Sequence, residues 1–202
     1  MASSANIAIV KYNAGNIRSV LYALERIGTT AVVTDDQNML RNAAKVIFPG
    51  VGEASTAMRY LRERQLDTLI ASLTQPVLGI CLGMQLMCAH SEENDTACIG
   101  IFNEPVRRFV PGPANEKVPQ IGWNSIFKLM SPLFQGIPEH SYTYSVHSYY
   151  AAVGAHTIAT ADYIIPYSAA LRRNNFYGVQ FHPEKSAAIG EQILRNFVNI
   201  IN

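Results

Sequence analysis

Gln75-Pro76-Val77-Leu78-Gly79-Ile80-Cys81-Leu82-Gly83-Met84-Gln85 is the stretch on which the fold turns. A proline and then an unbroken apolar run, Pro76 to Ile80, read as a buried strand. From Leu82 to His90 the apolar spacing becomes helical. Cys81 stands at the junction with Gly79 two residues before it and Gly83 two residues after. This is the G-x-S-x-G nucleophile elbow with cysteine in place of serine. A nucleophile on so tight a strand-to-helix turn takes a strained backbone conformation, and its neighbours at plus and minus two are crowded, which favours glycine. The helix start beneath the sulfur would favour thiolate, the reactive form. Taken alone, the run also fits an ordinary buried cysteine at a glycine-flanked turn.

Upstream, Ile7 to Val10, Ala31 to Thr34 and Lys45 to Phe48 read as further strands. Asn16 to Ile27 reads as a helix with Ile17, Val20, Leu21, Leu24 and Ile27 on one face, stopped by Gly28. Met58 to Leu73 looks helical in two pieces. This alternation predicts a parallel sheet with helices on both faces. Downstream, Ser141 to Val153, His156 to Tyr163 and Ala169 to Phe181 are rich in Tyr, Val and Thr, and read as antiparallel strands or hairpins. Ser186 is expected to cap a last helix with the stripe Ile189, Ile193, Phe197 and Ile200. Val110 to Pro119, with three prolines, reads as an exposed loop. The expectation is one α/β domain over residues 1–202, with a central mixed, mostly parallel sheet flanked by helices.

The bulk composition narrows the function classes. Charged residues are 15% of the chain, below the ~25% usual for soluble proteins, and the net charge is +1. The pairs Arg107-Arg108 and Arg172-Arg173 are too short for a nucleic-acid footprint. No run is long enough for a membrane span, and Ile7 to Val10 is too short for a signal-peptide core. Cys81, Cys88 and Cys98 are an odd number and imply no disulfide framework. A reducing cytoplasm fits them. A metal site from Cys88, His90 and Cys98 lacks both a C-x-x-C pair and a fourth ligand. Cys88 reads as a core residue.

Two further runs complete a reaction centre. Phe181-His182-Pro183-Glu184 ends a strand running from Phe176. There His182 can exchange a proton with a thiol and with a leaving amine, while Glu184 holds the ring in the needed tautomer. Phe48-Pro49-Gly50-Val51-Gly52 ends another strand. An acyl-transfer oxyanion needs backbone N–H donors. The Leu82 N–H is one candidate, and the Gly50-Val51 peptide is the other, because glycines at 50 and 52 let a loop bring its amides close or turn one over. A plain strand-ending turn fits that run equally well.

These runs, in the order Cys, His, Glu, resemble the class I (triad) glutamine amidotransferases, through Gly-Ile-Cys-Leu-Gly-Met-Gln at 79 to 85 and His182-Pro183-Glu184. The resemblance implies their flavodoxin-like fold and glutamine hydrolysis through a cysteine thioester, with the ammonia passed to a synthase partner and no metal or organic cofactor. The segment from Tyr12 to Val20, Pro49 to Gly52, Val118 to Asn124, and Val146 to Tyr149 are similar to one branch of the class. That branch comprises the glutaminase subunits of imidazole glycerol phosphate synthase in histidine biosynthesis, which pair with a (β/α)-barrel cyclase as a heterodimer. By position, the resemblance gives Gly52, Gln85, Glu93, Ser148 and Tyr149 to the substrate, and Asn13, Asn16 and Trp123 to the partner. The branch usually has Asp where this chain has Lys11 and His where it has Gln120. Rival expectations are a glutaminase serving a pyridoxal phosphate or surface-sugar synthase, a non-catalytic regulatory subunit, and a cysteine peptidase of similar architecture.

Overall fold

The computed structural model describes residues 7–13, 15–113 and 115–201. Ala14, within the segment from Tyr12 to Val20, lies outside them. The first four strands are β1 (Ile7–Val10), β2 (Ala31–Thr34), β3 (Lys45–Gly50) and β4 (Val77–Cys81). Three short strands follow: β5 (His90–Ser91), β6 (Thr96–Ala97) and β7 (Pro105–Arg108). The remainder are β8 (Gln120–Phe127), β9 (Ser141–His147), β10 (Tyr149–Ala151), β11 (Thr157–Tyr163), β12 (Ile165–Arg173) and β13 (Phe176–Val179).

Nine strands form one sheet in the order β2-β1-β3-β4-β13-β12-β11-β8-β9. The β2-β1, β1-β3, β3-β4 and β4-β13 pairings are parallel, and the four beyond β13 are antiparallel. The sheet is therefore mixed, as expected, but evenly divided. A second sheet, β10-β7-β5-β6, lies beside it.

Side-chain alternation divides the core between the two faces. Ile7 and Ile9 of β1 join one cluster, and Ala8 and Val10 join the other. On the first face pack α1 (Ile17–Arg26), through Val20, Ala23 and Leu24, and the last helix α6 (Ala187–Asn199), through Ile193, Leu194 and Phe197. On the second face pack α3 (Ala54–Glu63), through Met58 and Leu61, and α4 (Leu66–Ser72), through Leu69 and Ile70. Each fully buried leucine is worth roughly 1.5–3 kcal/mol of hydrophobic transfer.

Several boundaries differ from the sequence reading. A short helix, α2 (Gln37–Asn42), was not anticipated; Asp36 caps it by accepting from the Met39 N–H at 2.9 Å. The helical region expected from Met58 begins at Ala54, where the Glu53 carboxylate accepts from Ser55 and Thr56. It breaks at Gln65, which sits at φ 55°. The helix after the elbow, α5 (Leu82–Leu86), ends at Leu86 rather than His90. Met87 and Cys88 donate three residues back, to Met84 and Gln85, and tighten the last turn. The chain then leaves to pair His90-Ser91 with Pro105-Val106. Ser186 precedes α6, but its side chain makes no cap bond.

Candidate active site

The parallel strands deliver their C-terminal ends to one edge, where open α/β sheets place their ligands. Gly50 is in register with Cys81, and Val179 with Ile80. The ends of β3, β4 and β13 thus meet, and His182 follows three residues after the last of them.

Cys81 has φ 53° and ψ −111°, a conformation that a non-glycine residue enters at a cost of about 1–3 kcal/mol. Packing imposes it. A Cβ on Gly83 would lie 1.7 Å from the Phe48 carbonyl oxygen, so only glycine lets α5 start this close to β3. Gly50 is likewise fixed by close approach, because a Cβ there would lie 2.0 Å from the Tyr12 hydroxyl oxygen. Gly52, at φ 120°, is the residue of this loop that uses glycine's freedom at positive φ. The Tyr12 hydroxyl itself is buried without a hydrogen-bond partner among the described residues. Burial, and then the nearby Cys81, push its ionisation far upward.

Glu184 Oε1 lies 2.8 Å from His182 Nδ1, and both side chains are buried. Burial alone would lower the His182 pKa. The neighbouring Cys81 sulfur, with the hydrogen bond to Glu184 and their charges, overrides it and holds His182 up to about 10. The ring therefore carries its charge at neutral pH while facing the sulfur. Asn16, expected to face a partner, donates to Glu184 Oε1.

A cavity of about 340 Å³ opens over the sulfur. It gathers Val51, Gly52, Cys81, Leu82, Gln85, Glu93, Ser148, Tyr149 and His182 from the sequence-derived set. Gly50 and Glu184 stand behind its wall. Gln85 Nε2 donates to the Tyr149 carbonyl at 2.9 Å and to Gln180 Oε1 at 3.0 Å, so this amide builds the pocket by fixing the backbone of Tyr149. Glu93 accepts from the Ala54 N–H at 2.7 Å, and burial raises its pKa. Sequence reasoning missed Gln180, whose Nε2 lies 3.8 Å from Cys81 Sγ. It also missed Pro119, Val146, His147 and Lys185 in the lining. Gln180 and Lys185 flank the Phe181–Glu184 run, which was a signal available to find them. Asn13 and Trp123 are exposed outside the cavity, and Trp123 packs edge-on to Tyr144, with ring centres 6.0 Å apart.

Acidic, cationic and thiol groups so arranged suit acyl transfer at an amide. The family model described as glutamine amidotransferase class-I matches residues 8–201. The chain belongs to the class I glutamine amidotransferases. Among relatives, it is 57% identical over 194 residues to the imidazole glycerol phosphate synthase subunit HisH of Bacteroides thetaiotaomicron, covering 96% of this chain and 99% of that one. The protein of the same description from Haemophilus influenzae is 45% identical, covering 96% of each. The fold is that of a solved glutamine amidotransferase, with a TM-score of 0.72 at 18% identity, covering 95% of this amidotransferase and 96% of that chain. PurLQS from Thermotoga maritima likewise aligns with a TM-score of 0.72 at 16% identity, over 99% of this chain and all of that one. Among the described residues no helix is long and apolar enough to cross a membrane.

Proposed function

We propose that this amidotransferase hydrolyses the side-chain amide of glutamine at Cys81. The ammonia passes to a cyclase subunit that forms imidazole glycerol phosphate and an aminoimidazole carboxamide ribotide in histidine biosynthesis. The observation that carries the chemistry is the strained Cys81 beside His182 in the lining of one cavity, with Glu184 buried behind the imidazole. The shared description of the full-length relatives supports the pathway.

The thiolate attacks the amide carbon and forms a C–S bond. The carbonyl electrons move to oxygen, for which the Leu82 N–H and the Gly50-Val51 peptide serve as donors in this reading. His182 gives its proton to the nitrogen, and the C–N bond breaks to leave ammonia and a glutamyl thioester. Water, deprotonated by His182, then attacks the thioester; glutamate leaves and the thiolate returns. Gly52, Gln85, Glu93 and the backbone of Ser148 and Tyr149 hold the amino acid end. The partner, a (β/α)-barrel cyclase in our reading, docks near Asn13, Asn16 and Trp123; Asn13 and Trp123 are exposed. The reducing cytoplasm fits a working thiol.

The test is ammonia release from glutamine by the chain alone and with the cyclase and its nucleotide, for the wild type and for Cys81→Ala. The wild type is expected to be active and the variant folded but inactive. Folded Cys81→Ala protein releasing ammonia at the wild-type rate would refute the assignment.

A further inference from the structure

Ser186 occupies the residue before α6, where a serine ordinarily accepts a hydrogen bond from the first turn of the helix. Its hydroxyl forgoes that bond. It accepts from the Tyr144 N–H at 2.9 Å and donates to the His182 carbonyl at 2.7 Å. The His182 N–H donates in turn to the Tyr144 carbonyl at 2.8 Å. The Tyr144 N–H and the His182 carbonyl thus join through one buried hydroxyl, beside the direct bond between the other two main-chain groups. Gly190 makes room for the arrangement, since a Cβ there would lie 1.8 Å from the Pro183 carbonyl oxygen.

The tie supplies something that the His182–Glu184 bond does not. Glu184 is two residues from His182 and moves with the same loop. Their bond fixes the ring within the loop, not the loop relative to Cys81 on β4. External anchors must do that. Asn16, just before α1, holds the carboxylate end, and Tyr144 with Ser186 holds the main chain of the base.

We infer that Ser186 is a positioning residue, acting through His182 to hold the imidazole over the Cys81 sulfur; the inference rests on the glutaminase reading. A misplacement on the order of 1 Å costs up to about 10² in rate. Ser186→Ala is therefore expected to lower kcat for glutamine by roughly 10- to 100-fold, with KM changed by less than about threefold. The pocket walls from Gln85, Ser148 and Tyr149 are untouched by the change. Ser186→Cys, which keeps a side chain of similar shape but offers only a weak donor, is expected to fall in the same direction and serves if the alanine variant does not fold. Both variants are assayed in complex with the synthase partner, well below their melting temperatures, beside wild type and Cys81→Ala. A folded variant that melts earlier yet keeps the wild-type kcat would show a merely structural role and overturn the inference. A rise in KM at constant kcat would overturn it as well. A wild-type complex that releases no ammonia would instead sink the functional reading itself.

Discussion

Replacing Gly83 by alanine sets a methyl carbon against the Phe48 backbone of β3. The new Cβ would lie 1.7 Å from the Phe48 carbonyl oxygen and 2.8 Å from its carbon. Carbons of this kind do not approach closer than 3.0 Å, so the gap must open by about 1.3 Å. Two routes exist. If α5 retreats, the Cys81 sulfur and the Leu82 N–H move away from His182. If β3 retreats, the Gly50-Val51 peptide, two residues beyond Phe48, moves instead. Either way one side of the reaction centre is displaced by more than 1 Å. The expected fall in kcat is at least about 10², from lost alignment or from one lost oxyanion donor. Stability should fall by only about 1–3 kcal/mol, the usual cost of overpacking, lowering Tm by roughly 2–12 °C in a domain of this size. The assay is steady-state ammonia release with the synthase partner, beside urea denaturation and a thermal melt of the same preparation. Folded Gly83→Ala protein with kcat within about threefold of wild type would refute the claim that this contact sets the geometry.

Two further outcomes are expected. A glutamine-derived diazo-ketone should alkylate Cys81 far faster than the other cysteines, because burial pushes Cys88 well above the usual thiol range and raises Cys98 to about 11; equal labelling by peptide mapping would contradict this. The rate should also persist through neutral pH and decline as pH rises toward about 10. The His182 pKa is raised above that of an unfolded histidine, so the imidazolium needed to protonate the leaving nitrogen is present below that value and lost above it. A basic limb near pH 7 in ammonia release would remove His182 from the role of acid.

The elbow and the His-Pro-Glu run were legible because each is local: a strand, a turn and a few residues whose chemistry has one joint use. Parallel β1 to β4 followed from apolar runs alternating with helical spacing. What escaped the sequence depends on partners far along the chain. The expected helix through His90 is cut at Leu86 because His90-Ser91 pairs with Pro105-Val106, a contact that no helical periodicity reports. α2 was missed because only Leu40 of its six residues is buried, leaving no apolar stripe to see. Asn16 reads as a helix start, yet its amide is spent on Glu184, 168 residues away. Ser186 reads as a cap for the same reason: its neighbour Tyr144 is 42 residues distant. Local rules gave way where the reaction centre draws on the surrounding fold.

The place of β13 in the large sheet bears on how the molecule comes into being. It is the last strand in the chain, yet it lies between β4 and β12, joining the parallel strands to the antiparallel ones. A growing polypeptide that has not yet emitted residue 176 leaves the edge of β4, with Cys81 at its tip, without its neighbour. Such an open apolar edge is a template for pairing with other chains. His182 and Glu184 follow directly behind β13. The thiol therefore acquires its base only when that strand closes the sheet, and an active enzyme is by construction a completely threaded one. Contacts spanning about a hundred residues make this closure a slow step of folding, so the moment of synthesis, rather than the finished protein, is when this architecture is most exposed to aggregation.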